Sequence, residues 1–166
     1  MRWVGKENTY LGLEMLSKKA KYALKALEYL ARNNDRRPLL IAEIASSQRI
    51  PKKFLELILL ELKKSGVLES RKGKQGGYAL AREAQAIQIG EVVRLIDGPI
   101  AMVSCVSEKA YAPCAECIDE QTCGLKIIMA EVREATITVL NKVSIADILK
   151  CEDRLKNIID STNYLK

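Results

Sequence analysis

The chain contains no histidine. That absence removes the commonest general base and the imidazole ligands of many metal sites. It also leaves the five cysteines without the partner that a Cys-His nucleophile needs, so no enzyme and no small-molecule substrate are expected. No apolar run approaches the roughly 18 residues that cross a bilayer. Residues 1–8 lack the apolar stretch and cleavage site of a secretory signal. A cytoplasmic location without a membrane partner is therefore expected. An odd number of cysteines in such a setting predicts thiolate chemistry rather than a disulfide framework.

What is present is a chain of 166 residues, 48% of them apolar, enough for one or two small domains with a real core. Its net charge of +6 is unevenly spread. Residues 1–99 hold 19 Lys/Arg against 11 Asp/Glu, whereas residues 100–166 hold 8 against 10. A basic head on a mildly acidic body fits a polyanion-binding domain joined to an interaction or sensing region. A solvated basic surface would give the same totals.

The basic half has a definite order. Ser17 is placed to cap a helix running to about Asn33, with Ala20, Ala23, Leu24, Leu27, Leu30 and Ala31 along one face. A short helix over about 40–47, a turn at 48–50 and a helix from Pro51 to about Ser65 form a helix-turn-helix. Lys52 and Lys53 fall in the first turn of the second helix, where a recognition helix meets bases and phosphates, and Glu56 follows. Two strands, 67–72 and 77–81, flank a glycine-rich basic tip and predict a wing carrying Arg71, Lys72, Lys74 and Gln75. The tip joins two strands rather than a strand and a helix, which excludes a phosphate-binding P-loop. A helix from Ile89 to Asp97 closes the domain.

Four cysteines follow as Cys105-x8-Cys114-x2-Cys117-x5-Cys123 in a segment without apolar periodicity. Cys123 directly precedes a long helix, whose first amides favour a thiolate there. Four thiols suit zinc, a [2Fe–2S] or [4Fe–4S] iron–sulfur cluster, or direct thiol-redox sensing. Structural zinc sites usually use two close cysteine pairs, and only Cys114 with Cys117 qualifies. Cys151 lies apart from the loop and is expected to be incidental. In the long helix, to about Lys142, Leu125, Met129, Val132, Thr136 and Val139 alternate by four and three, a coiled-coil-like seam suited to a second copy of the chain.

In this order, the motifs Ser17-Lys-Lys-Ala-Lys-Tyr-Ala-Leu, Leu62-Lys-Lys-Ser-Gly-Val-Leu, Gly76-Gly-Tyr and Ile89-Gly-Glu-Val are specific. From Leu16 to about Leu149 the chain resembles the bacterial iron–sulfur cluster regulator family of dimeric winged-helix transcription factors. The resemblance implies a mainly α fold with a small β-hairpin wing, a homodimer, and binding to double-stranded promoter DNA as a repressor. It extends the DNA-facing set to Lys21 and Tyr22 of the first helix. It also implies a cluster held by Cys105, Cys117 and Cys123. The family's usual fourth ligand, a histidine or a first-helix carboxylate, is missing here: there is no histidine, and Lys21 stands at the carboxylate position. Cys114 is the natural substitute. The expected organisation is an extension over 1–15, a winged helix-turn-helix domain over 16–99 and a cluster loop over 100–123. A dimerisation helix with a short helix follows over 124–151, then a tail over 152–166. A zinc or thiol sensor, or an interaction protein without a cofactor, is the alternative.

Overall fold

The computed structural model describes residues 16–163 except 37, 74, 75 and 116, with side chains described as far as residue 158. Helix α1 (Lys18–Arg32) begins where Ser17 accepts from the Ala20 amide at 3.0 Å. Ser17 is itself held by Asp97, whose carboxylate accepts from the Ser17 amide at 2.9 Å and from its hydroxyl. Helices α2 (Ile41–Gln48) and α3 (Lys52–Lys64) meet at a turn in which Arg49 takes the left-handed conformation at φ 53°. Ile50 then donates to the Ala45 carbonyl, which reverses the chain and sets the angle between the two helices. Pro51 stands one residue before the helix rather than at its first position.

Leu55, Ile58, Leu59 and Leu62 of α3 are all fully buried against Leu27 of α1, Ile44 of α2 and Val92. This apolar stripe drives the three-helix core. Strands β1 (Leu68–Arg71) and β2 (Gly77–Leu80) pair antiparallel, Leu68 opposite Leu80 and Arg71 opposite Gly77. The wing is anchored by two bonds between Leu39 and Tyr78, at 2.8 and 2.9 Å. That pairing brings the Leu39 carbonyl onto Gly77, where any Cβ would collide with it. Glycine is therefore required at Gly77 by close approach. Helix α4 (Ile89–Asp97) packs on α1 and completes the domain.

The cysteine segment is not wholly irregular. A 3-10 turn at Ser104–Val106 carries Cys105 and buries Val106. Helix α5 (Gly124–Lys142) packs against this turn, and none of its residues is fully buried. Helix α6 returns to the domain. It was expected to stop near Cys151, but it spans Ile145–Asn163. The extra turns carry Glu152 and Asp153, which pair with Arg32 of α1 at 2.7 and 2.9 Å. This long-range contact is invisible to local periodicity.

The α5–α6 junction is fixed by a reciprocal cap. Ser144 donates its amide and hydroxyl to Asp147, at 3.0 and 2.7 Å, and accepts from the Asp147 amide. Those bonds from Ser144, followed by the one from Lys150, hold the Asp147 carboxyl well below the usual carboxylate range. A folded value lower than the unfolded one contributes stability above the unfolded value, about 3.9. That contribution fades as pH falls toward the folded value. An Asp147→Asn chain is therefore expected to melt below the native one at pH 7. The gap should shrink as melting curves are taken below pH of about 3.9; a constant gap would rule the cap out as its source.

Candidate functional site

Two surfaces carry the chemistry. The first is basic. Lys52 and Lys53 are exposed at the start of α3, with no acidic residue in its first turn and no side-chain cap, and Glu56 is exposed beside them. The free amides and two cations at this end favour an anion. Arg71 and Lys72 are exposed at the end of β1, while Lys74 and Gln75 lie outside the described residues. Lys21 and Tyr22 are half-buried on α1. The Tyr22 ring packs edge-on to Phe54, with centroids 5.8 Å apart and planes at 78°. It thereby braces α3 against α1.

The second surface is the cysteine loop at the start of α5. Cys123 is the N-cap residue of that helix, again without a side-chain cap. The Cys117 amide donates to the Cys114 carbonyl at 3.2 Å, a tight turn that brings these two positions together. Burial, then a hydrogen bond and charge from Cys123, then the charge of Cys114, push the Cys117 thiol up from its ordinary value. Cys123 and Cys114 thus both act on the Cys117 thiol. Cys105 is near enough to Tyr111 and Lys126 for its charge to act on both. Among the described residues no three Cys, Asp or Glu side chains converge closely enough to hold one metal ion. Cys151 is exposed on α6.

The residues that hold the loop to α5 were not anticipated. Glu120 accepts from Lys126 at 2.7 Å and from the Tyr111 hydroxyl at 2.8 and 2.7 Å. The bond to Lys126, then that to Tyr111, lowers the Glu120 carboxyl below its usual range. Two turns further along α5, Arg133 donates to the Val106 carbonyl and pairs with Glu108 at 3.3 Å. Both ends of the loop are therefore tied to one side of α5, by Arg133 next to Cys105 and by Lys126 next to Cys123. The only sequence signal is the seven-residue spacing of Lys126 and Arg133, which local rules read as an ordinary solvated face. Replacing Glu120 by Ala should release Tyr111 and Lys126 together. Cys105 is then expected to react with a disulfide reagent about threefold faster or more, because local opening governs access. Unchanged thiol kinetics would show that the tie does not order the loop.

Along α5, Leu125 and Val139 are 63% and 60% exposed, and Val132 is half-buried. Met129 and Thr136 are also half-buried, whereas Ile128 and Ala135 are exposed. The exposed apolar positions on this side are therefore Leu125, Ile128, Ala135 and Val139, with Met129, Val132 and Thr136 half-buried beside them.

Known proteins share this arrangement. Residues 16–151 match the Rrf2 family model, described as an iron-dependent transcriptional regulator. An Rrf2-like HTH-type transcriptional regulator of Rhodobacter capsulatus is 44% identical over 138 residues, covering 81% of this chain and 92% of the relative. The HTH-type transcriptional regulator NsrR of Bacillus licheniformis is 32% identical over 139 residues, covering 83% and 94%. Among solved structures, CymR of B. subtilis, the global cysteine regulator, superposes with a TM-score of 0.68 at 26% identity, covering 82% of this chain and 96% of that one. IscR of T. potens gives 0.66 at 28% identity, covering 85% and 89%. The helix-turn-helix, the wing and the long helix behind a cysteine loop are thus the parts of a DNA-binding regulator rather than an enzyme, and the chain belongs to the Rrf2 family of winged-helix transcriptional regulators.

Proposed function

We propose that this regulator is a cytoplasmic homodimer that represses transcription from palindromic promoter DNA and senses iron–sulfur, iron or redox status through a cluster on Cys105, Cys114, Cys117 and Cys123. The observation that carries the sensing role is the placing of Cys123 at the amide-rich start of α5, close enough to act on the Cys117 thiol, with Cys114 one tight turn from Cys117, in a chain without histidine. The donor set fits an iron–sulfur cluster, which takes cysteine thiolates. When bound, the cluster supplies an oxidant-labile link among the four sulfurs. The protein's part is to present those sulfurs and to convert their order into geometry. Lys126 and Arg133 tie the loop to α5, and the Asp97 carboxylate ties the end of α4 to the start of α1. Loop order thus reaches both the dimer helix and the DNA-binding helices.

DNA recognition is assigned to Lys52, Lys53 and Glu56 on α3, with Arg71, Lys72, Lys74 and Gln75 on the wing and Lys21 and Tyr22 on α1. Paired half-sites require paired recognition helices, which the exposed line on α5 provides by meeting its own copy. A second reading, direct thiol sensing, is favoured by the closeness of Cys123 to the Cys117 thiol, on which it acts. Anaerobic purification followed by a visible spectrum with iron and sulfide analysis separates the two. Charge-transfer bands with iron and sulfide in step support the cluster. Colourless, iron-free protein from cells grown with ample iron would sink it in favour of the thiols.

A further inference from the structure

The buried stripe of α3 is Leu55, Ile58, Leu59 and Leu62. The opposite, outermost line is Lys53, Leu57, Leu60 and Lys64, spaced by four, three and four. On a surface helix this line normally carries polar residues. Here its middle is apolar, with Leu57 60% and Leu60 46% exposed. One exposed leucine is unremarkable on any surface. Two on the outermost line of the recognition helix, with lysines before and after them, sit where such a helix meets the groove floor.

From this we infer that Leu57 is a specificity-determining residue that reads the 5-methyl group of thymine in the major groove. The inference rests on the proposed recognition role of α3 and adds a base to it. The groove floor is otherwise a pattern of donors and acceptors, and the thymine methyl is its one apolar feature. Leu57 lies in the second turn, one turn beyond Lys53, within the N-terminal part of a recognition helix that reaches base edges. Leu60, a turn further on, flanks it and helps exclude water. Charge favours DNA over a protein as the occupant. Lys52 and Lys53 at one end, with Lys63 and Lys64 at the other, match the phosphates that line a groove. An apolar protein partner would meet these four cations there instead.

The test uses the full-length protein, prepared anaerobically, to select duplexes from a randomised library. The selected duplex is then remade with each thymine replaced in turn by deoxyuridine, which deletes only the methyl. At one or more thymines per half-site, affinity measured by fluorescence anisotropy is expected to fall about fourfold, the effect of withdrawing one buried methyl. Leu57→Ala should bind the thymine and deoxyuridine duplexes alike, while circular dichroism reports an unchanged fold. Equal affinity of the native chain for every deoxyuridine duplex overturns the inference. So does a Leu57→Ala chain that keeps the deoxyuridine penalty, or one whose change appears in oligomeric state instead, which would assign the face to a protein. If no duplex of any sequence is bound at low salt, the recognition role of α3 itself falls and this inference with it. Tight binding that ignores the methyl removes only the inference.

Discussion

An Ile128→Lys/Val139→Lys chain is expected to sediment as a folded monomer and to lose about a thousandfold in affinity for a selected operator. The affinity figure follows because one half-site contributes a large share of the roughly 10³–10⁷ margin of specific over non-specific binding. The starting point is a helix that its own chain leaves uncovered. Helix α5 spans Gly124–Lys142, buries none of its residues fully, and holds Leu125, Ile128 and Val139 at 56–63% exposure. A helix with an apolar outer line in water marks an unfilled contact. A second copy packed along that line would cover Ile128 and Val139 with apolar side chains. Lysine at either position then buries an ammonium group without a partner, at a cost of about 3–5 kcal/mol for each broken site. The DNA-binding domain should survive, because its core lies in α1–α4 and at Ile145, away from both substitutions. Met129 is a weaker choice, being half-buried already. Sedimentation equilibrium decides the matter. A native chain that is monomeric at micromolar concentration, or a double variant that remains dimeric, would remove α5 as the interface.

Much of this architecture is legible from local chemistry. Ser17 as a cap, the 3–4 spacing of Leu55, Ile58, Leu59 and Leu62, and glycine at Gly77 each express a short-range constraint. Such constraints fix elements, and elements in this order fix the winged helix. What escaped depends on contacts between distant residues. Helix α6 continues past Cys151 alongside Arg32, more than a hundred residues away in sequence, and no periodicity encodes that pairing. On α5 the exposed Ile128 and Ala135 belong to the same broad apolar stripe as the 3–4 seam. Apolar spacing shows that a stripe exists, but the packing of α4 and the Ser104–Val106 turn on α5 decides which part of a broad stripe stays exposed. In the loop, the cysteines announce a ligand set by their identity and spacing. The holding residues Tyr111, Glu120, Lys126 and Arg133 are ordinary surface types, recognisable only once they touch.

Those holding residues sharpen the remaining expectation, that Cys114 completes the cluster's ligand set. Without histidine, and with Lys21 on α1 where the family resemblance places a carboxylate, the fourth ligand must come from the loop or from outside the chain. The loop offers carboxylates as well as Cys114, but the described ones are engaged. Asp119 accepts from the Gln121 amide at 3.0 Å and from the Thr122 hydroxyl at 2.7 Å. Glu120 is held by Lys126 and Tyr111, and Glu108 pairs with Arg133. Recruiting any of them would break bonds that order the loop. Cys114 is the choice on ligand chemistry, a thiol one tight turn from Cys117. Glu116 lies outside the described residues. Iron and acid-labile sulfide per protomer are expected to fall to less than about half the native level in Cys114→Ala, because the remaining three thiolates leave one coordination position to weaker donors. Cys151→Ala should keep both at the native level, since Cys151 sits on α6 away from the loop. The same loading and spectrum in Cys114→Ala as in the native chain would refute the assignment. In that event, combining Cys114→Ala in turn with Glu116→Gln, Asp119→Asn, Glu120→Gln and Glu108→Gln would identify which carboxylate had moved in. A further loss in one double variant names that residue, and none in any of them points to a ligand from outside the loop.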